Sequence, residues 1–459
     1  MGLPRARMNP LLQQSKVLSP LLIASSQPHA ELEGTLLPRG FFLGIGLIYM
    51  AALALDRLAA NWRLPGAAAV LLLGLAIPTE WLTQGQSLRP VHVETVHRVS
   101  LALLIFYAGL KTNLRRIRGM TAAGLRLGIG GVVITVAITT LAFLLLSPLL
   151  SNGLPPAAAV LAVCCLGATD SGAIEDLLVA LGHSIRGRLG HLLQFESAVS
   201  TVVTLLGFGL VAGVLQNRPH SHHLALHGLF VNDLPDQLRA VGLHVIAGLL
   251  AGLIVGAIAP LLIDALVRSE PMLLVVAVAL AFVAFGFGQI LSGGGLLAVF
   301  VAGVVLSNGH LQIGRFEQQA LGRVMHPLNT AAEITVMLLL GLLVKPAAVI
   351  TVLPLGLALA VVVPLTRLLA VSVLLPSDRF IGPDRLFVAG CGLRAVAPLA
   401  LAVSMSEELP YLGGITAKLA EPLGEQLMAL LFVVVLANLL LQPLLMRRLL
   451  PISPETSPP

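Results

Sequence analysis

Apolar runs of 18 or more residues recur along this chain from about Phe41 to Leu449. A helix of that length crosses the hydrocarbon of a bilayer. The runs are long and do not alternate, which excludes strands as the spanning element and leaves helices to satisfy the backbone in lipid. Of 459 residues, 57% are hydrophobic and 11% charged, too little polar surface for a soluble domain of this size. The expected fold class is an all-α polytopic membrane protein.

Thirteen candidate spans are expected at roughly 40–58, 65–82, 95–111, 121–148, 155–181, 190–215, 240–267, 270–289, 293–309, 325–344, 347–375, 384–406 and 424–446. Residues 1–39 read as an N-terminal tail, because "LSPLLIASS" is a poor apolar core for a signal peptide. Residues 450–459, "PISPETSPP" at their end, read as a disordered C-terminal tail with no regulatory domain after the last span. Arg447 and Arg448 place the C-terminus in the cytoplasm, and thirteen spans then put the N-terminus outside. With that topology 15 of the 28 Lys and Arg residues are cytoplasmic and six are in outer loops, the bias expected in a plasma (inner) membrane. The net charge of +6 reflects these loops and predicts no nucleic-acid partner. Cys164, Cys165 and Cys391 sit in apolar segments and read as packing residues. The His-rich stretch at 220–227 reads as a solvated outer loop, with pH sensing or metal binding as its functional alternative.

Thirteen spans divide as six, one and six, which permits two inverted repeats at about 40–215 and 270–449 joined by a linker helix at 240–267. Secondary transporters use this plan, with broken helices crossing at the membrane midplane. Span 5 carries a suitable interruption in "GATDSG", and span 12 carries a counterpart in "GCGLRAVAP".

An ionisable group at the bilayer centre costs ~3 kcal/mol or more on insertion scales, so each is a candidate functional residue. Four stand out: Asp170, Glu196, Glu333 and Arg394. Glu196 and Arg394 are expected to pair as a buried salt bridge. Glu175 and Asp176 lie further along span 5, nearer the cytoplasmic side. Asp170 is left without a cationic partner. Desolvation favours the protonated form of such a carboxylate, and a bound cation favours the ionised form. Protons and alkali cations can therefore take turns on Asp170, the expected metal-binding residue. Thr169, Ser171 and Ser197 add hydroxyl oxygens, and unwound backbone adds carbonyls, a donor set suited to Na⁺ or K⁺.

These residues resemble the monovalent cation:proton antiporter superfamily, specifically the NhaP-type sodium/proton and potassium/proton exchangers. "GATDSGAI" is similar to the family's Thr-Asp-Pro motif, "QFESAVS" to its Glu-Ser motif, and "GLRAVAPLALA" to its Gly-Leu-Arg-Gly-Ala-Val-Pro segment. "GGGLLAVFVAGVVLSN" and "VMLLLGLLVKP" also fit, in the family's order. The resemblance implies a dimerisation domain, a mobile core domain and a homodimer. It also implies that Asp170 carries the ion, that Thr169 and Ser197 support it, and that Glu196 and Arg394 form the core salt bridge. Where the family has Asn-Asp after the Glu-Ser pair, this chain has Ser200 and Thr201; Thr201 thus stands at an ion-ligand position with a hydroxyl in place of a carboxylate. Tyr107 replaces the family's acidic residue in span 3, and Ser171 replaces the proline of Thr-Asp-Pro. Two fewer carboxylates weaken cation binding and alter coupling. Glu333 and Glu175 are the auxiliary candidates, with Tyr107, Ser200 and Ser171.

Cation:proton exchange is the function expected, with the bilayer, the cation and H⁺ as partners and no cofactor. The alternative keeps the scaffold with an anion or small solute as cargo, served by Arg394 and half-helix N-termini. Enzyme and channel readings find no HExxH, no intramembrane protease pattern and no repeated filter motif.

Overall fold

The structure, a computed structural model, describes residues 41–61, 65–77, 90–112, 114, 119–147, 155–170, 172–174, 188–216, 234–292, 294–309, 318–377, 380–412 and 415–449. Among these residues every regular element is helical. In chain order the helices are α1 (Phe41–Asn61), α2 (Gly66–Ala76), α3 (Pro90–Lys111), α4 (Thr121–Leu146), α5 (Pro156–Cys165), α6 (Arg188–Gln216) and α7 (Leu234–Leu266). They continue as α8 (Glu270–Ser292), α9 (Gly295–Asn308), α10 (Gln318–Leu343), α11 (Pro346–Leu374), α12 (Gly382–Gly390), α13 (Val396–Glu408) and α14 (Ala417–Leu449). A π-helical turn at Arg126–Gly130 interrupts α4.

Among the described residues, seven helical stretches within α4, α6, α7, α8, α10, α11 and α14 are long and apolar enough to cross a bilayer. The protein is an integral membrane protein. Leu and Val side chains on the outer faces of α7, α8 and α11 are exposed, Ile290 and Ile350 most fully, as lipid-facing residues are. The N-terminal tail, the His-rich loop, the C-terminal tail, Ser171, Glu175 and Asp176 lie outside the described residues.

Lipid tails are as apolar as leucine, so helices associate in membranes through close van der Waals contact at small residues. The crossing of α2 and α10 shows the effect. A Cβ placed on Gly341 would lie 2.6 Å from the Leu71 carbonyl oxygen and 2.7 Å from Gly74 Cα. Only glycine admits that approach, and it sets α10 against both α2 and α3. Elsewhere α9 packs between α7 and α3, while α11 lies against α4 and α14. The chain is unwound inside the bundle after α5 and between α12 and α13.

Candidate functional site

Glycines and short polar residues favour both breaks. Helix α5 starts at Pro156 in its first turn, where the missing N–H costs nothing, and ends at Cys165. Gly167 to Asp170 are non-helical, and helix resumes at Gly172–Ile174. The second break runs through Cys391–Ala395, after which Pro398 sits in the first turn of α13. Buried unwound backbone needs partners. The two breaks supply them to each other: the Asp170 N–H donates to the Leu393 carbonyl at 2.9 Å.

Asp170 occupies the meeting point. Its Oδ1 accepts from the Gly172 N–H at 2.9 Å and the Ala173 N–H at 3.3 Å, as an N-cap does. Its Oδ2 accepts from the N–H of Val396, the first residue of α13, at 2.7 Å. The carboxylate therefore caps both the helical turn at 172–174 and the N-terminus of α13, whose free N–H groups favour an anionic side chain.

Helix α6 turns Glu196, Ser197, Ser200 and Thr201 to one face, as their spacing dictates. Ser197 Oγ donates to the Thr169 carbonyl at 2.9 Å, and Thr201 Oγ1 reaches the same oxygen at 3.3 Å. Ser200 Oγ accepts from the Thr169 N–H at 3.2 Å and lies 2.9 Å from Thr169 Oγ1. The hydroxyls at Ser200 and Thr201 thus hold the unwound Thr169 peptide in place. Because Ser197 and Thr201 spend their protons on a carbonyl, their oxygen lone pairs remain for a cation.

The expected pairing of Glu196 with Arg394 is not what the structure contains. Glu196 is held by Arg367 of α11, with Nη1 to Oε1 at 2.9 Å and Nη2 to Oε2 at 3.0 Å. All three residues are sealed, at 1–2% exposure. Arg367 threads past Gly392, where any Cβ would stand 2.8 Å from its Cγ, and so reaches the carboxylate in the planar two-point geometry an arginine fork favours. Arg394 turns instead toward Thr135 of α4, with Nη2 to Oγ1 at 3.4 Å. Its Nε and Nη1 have no hydrogen-bond partner among the described residues. The expected spans contain Arg126, Arg367 and Arg394, and nothing local in "VPLTRLLA" marks Arg367 as the partner.

A cavity of about 710 Å³ opens onto Asp170, Thr169, Ser197 and Thr201. It is also lined by α3 and α10, which contribute Tyr107, Lys111, His326, Asn329 and Glu333. Tyr107 has its hydroxyl 3.0 Å from His326 Nδ1, and Lys111 Nζ stands 4.9 Å from the Tyr107 ring centroid. Glu333 accepts from Asn329 Nδ2 at 2.8 Å. A Cβ built on Gly172 would lie 2.9 Å from Glu333 Oε1 and 3.3 Å from Asp170 Oδ1, so these two carboxylates flank the same glycine. His326 and Asn329 escaped the sequence reading, although with Glu333 they form a polar stripe at helical spacing on α10. Glu196, Arg367 and Arg394 do not line the cavity.

The family model of the transmembrane sodium/hydrogen exchanger matches residues 45–451. The chain is 27% identical over 350 residues to the K(+)/H(+) antiporter NhaP2 of Shewanella baltica (strain OS223), covering 76% of this chain and 55% of that protein. It is 25% identical over 374 residues to the K(+)/H(+) antiporter NhaP of Alkalimonas amylolytica, covering 81% and 61%. The chain thus spans less than two thirds of the length of these relatives. The fold matches that of the sodium proton antiporter MjNhaP1 of Methanocaldococcus jannaschii with a TM-score of 0.72 and 18% identity, over 89% of this chain and 97% of that one. With the exchanger model matched over most of its length, the chain belongs to the transmembrane sodium/hydrogen exchanger family.

Proposed function

We propose that the protein exchanges a monovalent cation, Na⁺ or K⁺, for protons across a membrane by alternating access, with Asp170 as the shared site. The observation that carries this reading is the position of the Asp170 carboxylate, hydrogen-bonded by both interrupted helices and open to a cavity. Thr169, Ser197 and Thr201 supply further oxygens beside it. A proton and a cation cannot both be held favourably on one carboxylate, so loading one expels the other. The Glu196–Arg367 pair holds α6 and α11 together behind the site and leaves no net charge of its own there. Charge on the cavity wall favours a cation as cargo: Asp56, Asp170 and Glu333 face it against Lys111. Arg394, which an anion would need, is sealed away from it.

The same reading includes thirteen membrane crossings in two inverted repeats, a homodimer in the plasma membrane, and a cytoplasmic C-terminus. In that orientation the ends of α1 and α3 bearing Asp56 and Lys111 face the cytoplasm, and the cavity reaches Asp170 from that side. Proteoliposomes given Na⁺, K⁺ and Li⁺ separately, with an internal pH dye, test the function. Cation-dependent proton flux that vanishes in Asp170→Asn is the expected result. Exchange retained by Asp170→Asn would refute the assignment of the site.

A further inference from the structure

We propose that Glu333 of α10 is the second carboxylate of the exchange site, so that one cation is held between Asp170 and Glu333 and released as the helices carrying them separate. The inference rests on the exchange reading above and deepens it.

The two acids line one cavity from different elements, Asp170 from the first break and Glu333 from α10. Gly172 lies between them, and the two distances from its Cβ position limit how far apart Oδ1 of Asp170 and Oε1 of Glu333 can be. At that separation a rotamer change at Glu333 brings both carboxylates within reach of a single ion. Asn329, one turn before Glu333, donates to Oε1 and aims the carboxyl toward the break. An amide donor suits a carboxylate acceptor.

The electrostatics give the pair its function. Two carboxylates close together inside the helix bundle repel when both are ionised, and either a proton or an intervening cation relieves the repulsion. Cation entry between the carboxylates therefore competes with a proton on either, in a cavity that Lys111 and His326 also line. The two residues sit on separately anchored elements. Asp170 belongs to the break held by α6 and α13, whereas Glu333 belongs to α10, locked to α2 at the Gly74–Gly341 crossing. Any movement of the first assembly past the second changes the distance between the carboxylates, and with it the affinity for the ion. This places part of the cation ligation on α10, outside the break.

Glu333→Gln is the discriminating variant, because the glutamine oxygen still accepts from Asn329 while the charge is lost. Proton flux in proteoliposomes is measured against cation concentration at several pH values, for wild type, Glu333→Gln and Glu333→Asp. The expected result is a half-saturating cation concentration raised at least tenfold in Glu333→Gln with a shifted pH profile, and a smaller rise in Glu333→Asp. Thermal stabilisation of purified protein by K⁺ or Na⁺ gives an independent binding readout, expected to weaken in the same order. Wild-type half-saturation, pH profile and cation stabilisation in Glu333→Gln would overturn the proposal while leaving Asp170 as the exchange site. Absence of cation-dependent flux in the wild-type protein would instead remove the underlying reading.

Discussion

Replacing Arg367 by Met tests the assignment of the buried ion pair. The substitution removes two charge-assisted hydrogen bonds, at 2.9 and 3.0 Å, from a carboxylate that is 1% exposed. What remains is the hydroxyl of Thr169, 3.3 Å from Oε1. Stranding a buried charge in this way costs about 3–5 kcal/mol. Converting Glu196 to Gln in the same protein removes that charge, so the double variant is expected to be markedly more stable than the sum of the single losses implies. The coupling between Glu196 and Arg367 is then about 2–3 kcal/mol, at the upper end for contacting residues. The matching cycle with Arg394→Met gives a smaller coupling, because Arg394 hydrogen-bonds Thr135 and not Glu196. The assay is equilibrium unfolding in bicelles under reversible conditions, which yields free energies directly. Equal couplings, or a larger one for Glu196 with Arg394, would refute the reasoning.

Gly172→Ala puts a methyl group 2.9 Å from Glu333 Oε1 and 3.3 Å from Asp170 Oδ1, so it wedges the carboxylates apart without removing charge; the half-saturating cation concentration in proteoliposome flux should rise several-fold, and an unchanged value would count against the two-carboxylate geometry. Gly341→Ala meets backbone atoms of α2 at 2.6–2.8 Å, which no rotamer can relieve, so it should destabilise the protein by about 1–3 kcal/mol in the bicelle assay. Lys345→Ala breaks a 2.5 Å ion pair with Glu425, but the lysine is 64% exposed, so the loss should stay below about 1 kcal/mol and shrink further in high salt. A loss as large as that for Arg367 would contradict the ranking of exposed against buried pairs.

Much of the site was legible because it follows local rules. "GATDSG" cannot continue a helix comfortably, and its aspartate is too costly in lipid to be incidental, so Asp170 and the break were readable together. The second break in "GCGLRAVAP" was readable for the same reason. The partner of Glu196 was not. Arg367 and Arg394 are both intramembrane arginines, and choosing between them depends on which helix face meets α6 and whether a gap such as that at Gly392 lets a long side chain through. Glu333 was readable as an intramembrane acid, whereas its approach to Asp170 beside Gly172 was not, because that distance depends on how α10 packs against the breaks.

Taken alone, the order of residues determined that this chain lives in lipid as helices, where two of them break, and which acid stands at the first break. Those are consequences of hydrophobic length, backbone satisfaction and glycine placement, all of which act within a few turns. Packing decided which arginine neutralises Glu196, 171 positions away, and that Glu333 and Asp56 share the cavity with Asp170. Such contacts depend on the rotation and crossing of whole helices, quantities that no short stretch of the chain encodes.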